Sequence, residues 1–362
     1  MRSARRAPSR TSPWTYSSRL TADFTWRDAG RTVVFLRGGV GEAVEVLREH
    51  GFERFELLST QRALGEVGEL AEAAGRIHEV AMGPVPAAAA ALMGALAPPP
   101  QAEEGVRVRP LVAFGGGRVI DVAKAVAAIS GAEVAAIPTT MSGAEMTAIH
   151  RLPEGAEERA KGMVRPRLVI ADPAAMTSAP EAELRASSMN ALAHGADTLY
   201  LPMSNPMSEM TALRGAELIG RTLDQERKER DTSDLALGSI LCGYAIDSAG
   251  LGLHHVICQT LVRICRTPHA ETNATILPNA VGFLAERVPE PYEQLAAALG
   301  TDFAGLPTRV EELGRPRPLG ELGGDASKLD EAVEAMLQRP ELSRVPGSVS
   351  RDELVALVRS AW

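Results

Sequence analysis

Short apolar runs separated by amphipathic, helix-length stretches make up most of the chain as far as residue 171. Runs of this kind, rich in Val, Ile, Leu and Ala, are typical of strands that are buried on both faces of a sheet. We predict strands at 32–36, 55–59, 77–82, 111–114, 134–137 and 168–171. Helical stretches lie between the earlier strands, at 42–49, 64–74 and 87–96. The alternation predicts a parallel, doubly wound α/β sheet.

The pattern changes after Asp172 and Pro173, beyond which no convincing strand follows. Amphipathic helices are predicted instead, at 181–199, 207–223, 235–248, 253–264, 274–286 and 351–362. A chain of 362 residues is also long for a single core, so two domains are expected. We divide the sequence into a tail at 1–22, an α/β domain at 23–173 and an all-α domain at 174–362.

Composition narrows the classes of function. The net charge of −8 argues against nucleic acid or an anionic membrane as the main partner. No apolar run reaches the roughly 20 residues that a spanning helix requires. Three cysteines without a CxxC motif fit a reducing cytoplasm better than a disulfide framework. Residues 1–22 contain five arginines and no acidic residue, and we expect a disordered tail there or an early start codon.

A glycine-rich turn is the first candidate site. The apolar run at 111–114 ends in three consecutive glycines, Gly115, Gly116 and Gly117. A helical stretch follows at once, and we assign its Asp121 and Lys124, together with the three glycines, to the cofactor site. Such a turn exposes backbone N–H groups at a helix N-terminus, where the dipole favours phosphate. A tight turn without a ligand also needs glycine, so the motif alone leaves both interpretations open.

A second loop, after the run at 134–137, supports a bound nucleotide. It is dense in small hydroxyl residues, including Thr139, Thr140 and Ser142. Hydroxyl groups can bind ribose and phosphate, although Ser142 could simply cap a helix. Two such loops at neighbouring strand ends favour a nucleotide cofactor, because ligands of open parallel sheets bind beyond the carboxyl ends of the strands.

The residues after the strand at 55–59 bear on the choice between NADH and NADPH. A carboxylate there would accept hydrogen bonds from the ribose hydroxyls of NADH and would repel the 2′-phosphate of NADPH. This chain instead has Thr60, Gln61 and Arg62. We assign Thr60 to the cofactor site and Arg62 as a phosphate partner, and both cofactors stay open.

A polar cluster is predicted in the helical half. Asn190 and His194 share one helical face, His255 and Gln259 repeat the spacing, and His269 follows Pro268 at an expected helix break. Three imidazoles and an asparagine oxygen could hold Fe²⁺ or Zn²⁺ with an open position. No ligand carboxylate belongs to the set, so the same groups could instead bind a small anionic substrate directly.

Several spaced motifs resemble the iron-containing alcohol dehydrogenase superfamily, and within it the maleylacetate reductases. The motifs are GGGRVIDVAK at 115–124, IPTTMSGAEMT at 137–147, MNALAH at 189–194, LHHVICQ at 253–259 and TPHAETNATILPNA at 267–280. The resemblance implies a dehydroquinate-synthase-like fold, NAD(P)H in the cleft between the domains, and a homodimer formed through N-terminal strands such as 32–36. It also implies reduction of the carbon–carbon double bond of maleylacetate to give 3-oxoadipate.

Carried over by position, the resemblance assigns site residues. The equivalents of the metal site are Asn190, His194, His255 and His269. His254 belongs to the double histidine of the reductases, and we assign His254, His255 and Lys161 as candidate catalytic residues. Lys161, Arg118, Arg263 and Arg266 are candidate partners for a dianionic substrate.

The chain departs from the family motifs at several positions. Arg118 replaces a serine, Gln259 and Asn279 stand where relatives carry histidine, and Val262-Arg263 replaces a glycine pair. Because glutamine cannot shuttle a proton near neutral pH, His254 or a water chain would have to deliver it. Two alternatives follow, a metal-dependent alcohol dehydrogenase acting on a small aldehyde and a family member that has lost catalysis.

Overall fold

The computed structural model describes residues 30–36, 40–65, 68–96 and 108–362, so the tail predicted at 1–22 lies outside the described residues. Six parallel strands form one sheet in the order β1-β6-β5-β4-β2-β3. The strands are β1 Thr32–Phe35, β2 Glu56–Ser59, β3 Arg76–Glu79, β4 Leu111–Gly115, β5 Val134–Pro138 and β6 Leu168–Ala171. Each coincides with a predicted run, although β3 ends three residues early, where the chain turns outward and leaves Met82 exposed.

Helices cover both faces of this sheet. They are α1 Ala43–Glu49, α2 Gln61–Leu64, α3 Gly68–Ala73, α4 Val85–Leu96 and α5 Gly117–Ser130. Successive strand residues point to opposite faces, so Leu57 and Val112 pack in one apolar core while Leu58 and Ala113 pack in the other. The helix predicted at 64–74 is wrong as a single element, because it divides into α2 and α3.

The rest of the described chain is helical. Its α-helices are α6 Pro173–Met176, α7 Glu181–Thr198, α8 Pro206–Leu223, α9 Thr232–Ala249, α10 Leu253–Ile264, α11 His269–Arg287, α12 Pro289–Ala298, α13 Leu306–Gly314, α14 Leu329–Leu337 and α15 Arg351–Arg359. These helices share one apolar core with Val169 and Ala171 of β6. The expected helix break at Pro268 is confirmed, since α10 ends at Ile264 and α11 begins at His269, five residues earlier than predicted. The independence of 23–173 and 174–362 as folding domains stays a prediction.

A buried carboxylate joins the sheet to the helices. Asp247 of α9 accepts hydrogen bonds from Arg31, at 2.9 Å, and from Arg165, at 2.7 Å. Its other oxygen accepts from the backbone N–H of Ala148, at 3.0 Å. Arg31 also donates to the carbonyl of Met146. Three separate segments of the α/β part are thereby held by one side chain of the helical part.

The three cysteines, Cys242, Cys258 and Cys265, are free and buried. Burial raises the pKa of Cys242 to about 12 and that of Cys265 to about 11, and it raises the pKa of Cys258 well above its ordinary value. In the described ranges, no single helix has the length and apolarity to cross a membrane. The pair α9 and α10 meets both criteria only jointly, across a bend of 98°.

Candidate active site between the sheet and the helices

The glycine turn after β4 lies against the loop that follows β5. A Cβ added at Gly116 would lie 3.1 Å from Cγ2 of Thr140, and one at Gly117 would lie 2.9 Å from Oγ of Ser142. At Gly115, an added Cβ would lie 2.7 Å from Val119. The turn therefore has no room for side chains, and its backbone is bare at the N-terminus of α5. A bare helix N-terminus lined by two hydroxyl groups fits a phosphate of a nucleotide cofactor.

The lysine and the aspartate of the glycine motif have another role than the one expected. The Lys124 side chain is fully buried, and its ammonium group donates to the carbonyls of Ala144, Thr147 and Ile149 at 2.8–3.1 Å. Asp121 pairs with the same ammonium group at 2.8 Å. Lys124 is thus a support for the second loop, because its donors are already bound to protein oxygens and none is left for a phosphate.

The second loop also contacts the helical half. The side-chain amide of Asn190 donates to the carbonyl of Ser142 at 2.9 Å. Gly143 has a φ of +71°, and a Cβ there would lie 2.7 Å from Cε1 and Nδ1 of His194. The segment at 139–147, which we call the bridging loop, therefore contacts the glycine turn on one side and Asn190 and His194 on the other. A cofactor on the turn and a reactant beside the histidines would be neighbours.

His194 and His255 form the centre of the polar cluster. Their rings stack with centroids 4.8 Å apart and an interplanar angle of 8°. Burial, followed by the charge of His255, holds the pKa of His194 well below its ordinary value, so His194 is neutral. Within the described ranges, Nδ1 of His194 and Nε2 of His255 are buried without a hydrogen-bond partner. Both nitrogens therefore keep an unused hydrogen-bonding capacity at the centre of the cluster.

Asp197 fixes the orientation of His255. One carboxylate oxygen lies 2.7 Å from Nδ1 of His255, and the Asp197 side chain is 1% exposed. Because a carboxylate only accepts hydrogen bonds, Nδ1 must carry the proton, which leaves Nε2 for the reactant. Asp197 lies one turn beyond His194 on α7 and is absent from the sequence-based set. Its i,i+3 spacing from His194 was the signal that could have identified it.

His254 lies behind His255 rather than beside the reactant. It is 1% exposed, its Nε2 lies 3.0 Å from Oδ1 of Asn273, and its ring meets that of His255 edge-on at 5.1 Å. Burial and the charge of His255 lower its pKa to about 3. The expectation that His254 delivers a proton is corrected accordingly, because an enclosed imidazole with this pKa does not carry the second, acidic proton at neutral pH, and its ring is bonded to Asn273.

His269, at the start of α11, has solvent-accessible surface even though protein surrounds it. Burial and then the charge of His255 lower its pKa, and Asp121 and Arg151 also act on it. His269 therefore marks the place where the cluster meets α5 and the segment after the bridging loop.

The resemblance noted in the sequence implies a metal, and within the described part of the chain the predicted ligands do not form a site for one. Among the described residues, no three His, Cys, Asp or Glu side chains converge in a group that could hold a metal ion. The stacked rings of His194 and His255 lie in nearly parallel planes, which is unfavourable for imidazole nitrogens that must converge on one ion. The one adjacent carboxylate, Asp197, is bound to His255. This arrangement suits direct contact with a substrate better than coordination.

A nicotinamide cofactor fits the other half of the site. The glycine turn packs against Thr140 and Ser142, which would together cradle a phosphate, and Thr60 follows the neighbouring strand β2, where it caps α2. Arg118 extends along the same edge of the sheet to Met82, beyond β3, with its Nη1 2.8 Å from the sulfur. Thr139 donates its backbone N–H to the carbonyl of Gly115 at 3.0 Å and so joins the two strand ends.

Of the remaining candidates, Lys161, Arg266 and Arg62 are not brought together at this site. Nζ of Lys161 lies beside Gly131, at the C-terminal end of α5 and about 20 Å along that helix from the glycine turn. We therefore exclude Lys161 from the candidate catalytic residues. Arg266 is exposed beyond the end of α10, and Arg62 lies 4.0 Å from Glu183. Gln259 accepts a hydrogen bond from Arg339 at 3.2 Å, and Asn279 is half-buried in α11.

Two family models together match most of the chain. A model of the Fe-containing alcohol dehydrogenase family, C-terminal, matches residues 185–362, and a model named iron-containing alcohol dehydrogenase matches residues 34–180. Both halves of the site lie within the matched ranges.

Individual relatives agree with the family models. Maleylacetate reductase 1 of Rhodococcus opacus is 34% identical over 70% of this chain and 72% of that protein. The maleylacetate reductase of Rhizobium sp. (strain MTP-10005) is 30% identical over 94% of this chain and 97% of its own. The crystal structure of maleylacetate reductase from Agrobacterium tumefaciens superimposes with a TM-score of 0.79 at 29% identity, covering 94% of this chain and 98% of that one.

Proposed function

Because the chain belongs to the iron-containing alcohol dehydrogenase family, we propose that it reduces the carbon–carbon double bond of maleylacetate with NAD(P)H. It is an oxidoreductase that resembles maleylacetate reductases and has their dehydroquinate-synthase-like fold. The observation that carries the proposal is the bridging loop, which touches both the glycine turn and the pair Asn190 and His194. One loop thus supports the reductant and the reactant side by side.

Cofactor binding is the task of the glycine turn and the bridging loop. The backbone of Gly116 and Gly117 holds the pyrophosphate, and Thr140 and Ser142 bind the phosphate or ribose oxygens. When bound, the reduced nicotinamide supplies a hydride. In the complete reaction, one hydride from the cofactor and one proton from the protein or from water are added across the double bond.

The histidines act on the oxygen of the substrate and on the proton. Hydride addition to the carbon β to the ketone places negative charge on the ketone oxygen. His194 and His255 present buried, unpartnered nitrogens to that oxygen. The carboxylate of Asp197 at Nδ1 stabilises positive charge on His255, so its Nε2 can hold a proton and release it to the α-carbon. His255 therefore takes the role that Gln259 cannot perform.

We also propose that NADPH is preferred over NADH. No carboxylate follows β2, and the Arg118 side chain runs along the edge of the sheet past that strand towards Met82. A guanidinium near the adenosine end of the cofactor favours a 2′-phosphate.

The proposal is tested by mixing the purified protein with maleylacetate and NADH or NADPH, with and without a chelator. Absorbance of the reduced nicotinamide is followed. We expect oxidation that survives chelation and is faster with NADPH, and we expect His255→Gln to abolish it while cofactor fluorescence is retained.

Other outcomes separate the alternatives. Turnover of a small aldehyde that chelation abolishes would establish a metal-dependent alcohol dehydrogenase instead. Cofactor binding without turnover of either substrate would contradict the proposed reaction. Absence of both turnover and cofactor binding would favour a member that has lost catalysis.

Assembly and location complete the proposal. β1 is at the edge of the described sheet, pairs only with β6 there, and leaves Val33 38% exposed. An edge strand with an exposed apolar residue can pair with a second copy, so we propose a homodimer through β1. We place the enzyme in the cytoplasm, where reduced nicotinamide is at hand. Size-exclusion chromatography with light scattering tests the dimer.

A further inference from the structure

Three arginines lie on or close to α10, the helix that carries His255. They come from separate segments: Arg151 follows the bridging loop, Arg263 lies in the last turn of α10, and Arg339 follows α14. Burial and then the positive charges of Arg263 and Arg339 lower the pKa of Arg151. Arg151 therefore lies close enough to Arg263 and Arg339 for their positive charges to act on its guanidinium group, and an anion bound there would offset that repulsion.

Helix α10 connects this group to the histidine pair. His255, Gln259 and Arg263 are spaced four residues apart, so they lie on one face of the helix. At 1.5 Å per residue, the backbone of Arg263 is about 12 Å from that of His255. Between them, Gln259 accepts from Nη2 of Arg339 at 3.2 Å.

Two of the three guanidinium groups are free. Arg339 is held by Glu341, with contacts of 2.8 and 3.1 Å, as well as by Gln259. Arg151 and Arg263 make no side-chain hydrogen bond or ion pair with any of the described residues, and both are exposed. In a chain with a net charge of −8, two arginines without a carboxylate partner beside a third arginine indicate an anion-binding site.

We propose that Arg151, Arg263 and Arg339 form a subsite that binds the carboxylate of the substrate remote from His255 and thereby selects dicarboxylates. The proposal rests on the proposed function and deepens it. Gln259 is a positioning residue, because it holds Arg339 without reaching the carboxylate. Two of the departures noted in the sequence, Gln259 and Arg263, are thereby explained together. Guanidinium groups suit this task, since they bind carboxylates through two parallel N–H groups.

The subsite is tested by binding, independently of turnover. Adipate, an unreactive six-carbon dicarboxylate, and its monomethyl ester are titrated calorimetrically into the full-length protein. We expect adipate to bind at least about tenfold more tightly than the ester, as charge-assisted hydrogen bonds require. Arg263→Gly and Arg151→Ala should remove that preference. Arg214→Ala, which removes an exposed arginine of α8 paired with Glu217, should retain it.

Kinetics provide the second measurement. With maleylacetate, Arg263→Gly should raise KM about tenfold or more and change kcat little, because binding and not chemistry is affected. Equal binding of adipate and its ester by the unsubstituted protein, or the same preference in Arg263→Gly, would overturn the subsite. If maleylacetate is not turned over but adipate still needs the arginines, the reaction proposed above fails while the subsite stands.

Discussion

At the scale of single residues, the same side chain has three different roles within one cluster. His194 and His254 are both buried and neutral, and their pKa values are lowered by burial before any other cause. His255 alone has a carboxylate against its ring, and that contact orients it and supports a positive charge. The division of roles is set by neighbours. A sequence shows that histidines are present, but it cannot show which of them will face Asp197.

The contact between Asp197 and His255 gives the first prediction. Asp197→Asn keeps the size of the side chain but removes the charge, so His255 loses both its fixed proton position and its electrostatic support. We expect kcat/KM for maleylacetate to fall roughly 100-fold. The measurement is the pH profile of kcat/KM, with cofactor fluorescence as a check on folding. A variant that binds cofactor and retains full activity would show that Asp197 is not needed.

Glu145, in the bridging loop, gives a prediction on stability. The residue is fully buried, neither carboxyl oxygen has a partner among the described residues, and burial raises its pKa to about 7. Between pH 4.5 and 7 the folded protein holds a proton that the unfolded chain releases. The free energy of unfolding should therefore fall across that window, by at most about 3 kcal/mol.

Glu145→Gln is uncharged at every pH and should lose this dependence. Its stability relative to the unsubstituted protein should rise from pH 4.5 to 7 and then stay level. Urea unfolding at a series of pH values measures this, and Glu158→Gln, at an exposed glutamate, is the matched control. Parallel pH curves for Glu145→Gln and the unsubstituted protein would contradict the assignment.

At the scale of elements, the site depends on two loops that approach each other too closely for side chains. Gly117→Ala would place a Cβ 2.9 Å from Oγ of Ser142, so the bridging loop or the turn must shift. We expect the Kd for NADPH to rise about tenfold or more, an effect of roughly 1.4 kcal/mol. Fluorescence titration of the reduced cofactor measures it.

Gly94→Ala is the control for that experiment. Gly94 lies in α4, where an added Cβ would meet no atom within 4 Å. Alanine in a helix interior is favoured over glycine, so stability should rise by about 0.5–1 kcal/mol with no change in cofactor binding. Unchanged affinity in Gly117→Ala would show that the turn does not hold the phosphate.

The elements themselves were largely predictable, and their relative positions were not. All six strands and the glycine turn were predicted from local patterns. Apolar runs are typical of buried strands, and consecutive glycines are typical of a tight turn, so both can be identified without knowing the tertiary structure. Lys161 is the counterexample, since its place at the far end of α5 depends on the path of the chain between β5 and β6. Lys124 is a second counterexample. Its position after the glycine turn suggests that it binds the cofactor, whereas in the folded protein its ammonium group donates to three backbone carbonyls.

At the scale of the whole molecule, one buried carboxylate joins the two halves. Asp247→Ala would leave Arg31, whose side chain is 6% exposed, and Arg165 without their partner. Breaking a buried ion pair in this way costs about 3–5 kcal/mol, so Tm should fall clearly. Asp224→Ala is the control, because its pair with Arg309 has an aspartate that is 51% exposed and should matter by less than about 1 kcal/mol. Equal losses of stability in the two variants would show that the buried carboxylate of Asp247 contributes no more to stability than the exposed one of Asp224.

The burial of every thiol has a practical consequence for the study of this protein. The chain has three cysteines, and all are enclosed with raised pKa values, so little thiolate is present at neutral pH to react with an alkylating reagent. A cysteine introduced at Met203, which is 69% exposed, would then be the only position to take a fluorescent dye. The natural sequence can therefore carry a spectroscopic label at one chosen point without first being stripped of its own thiols.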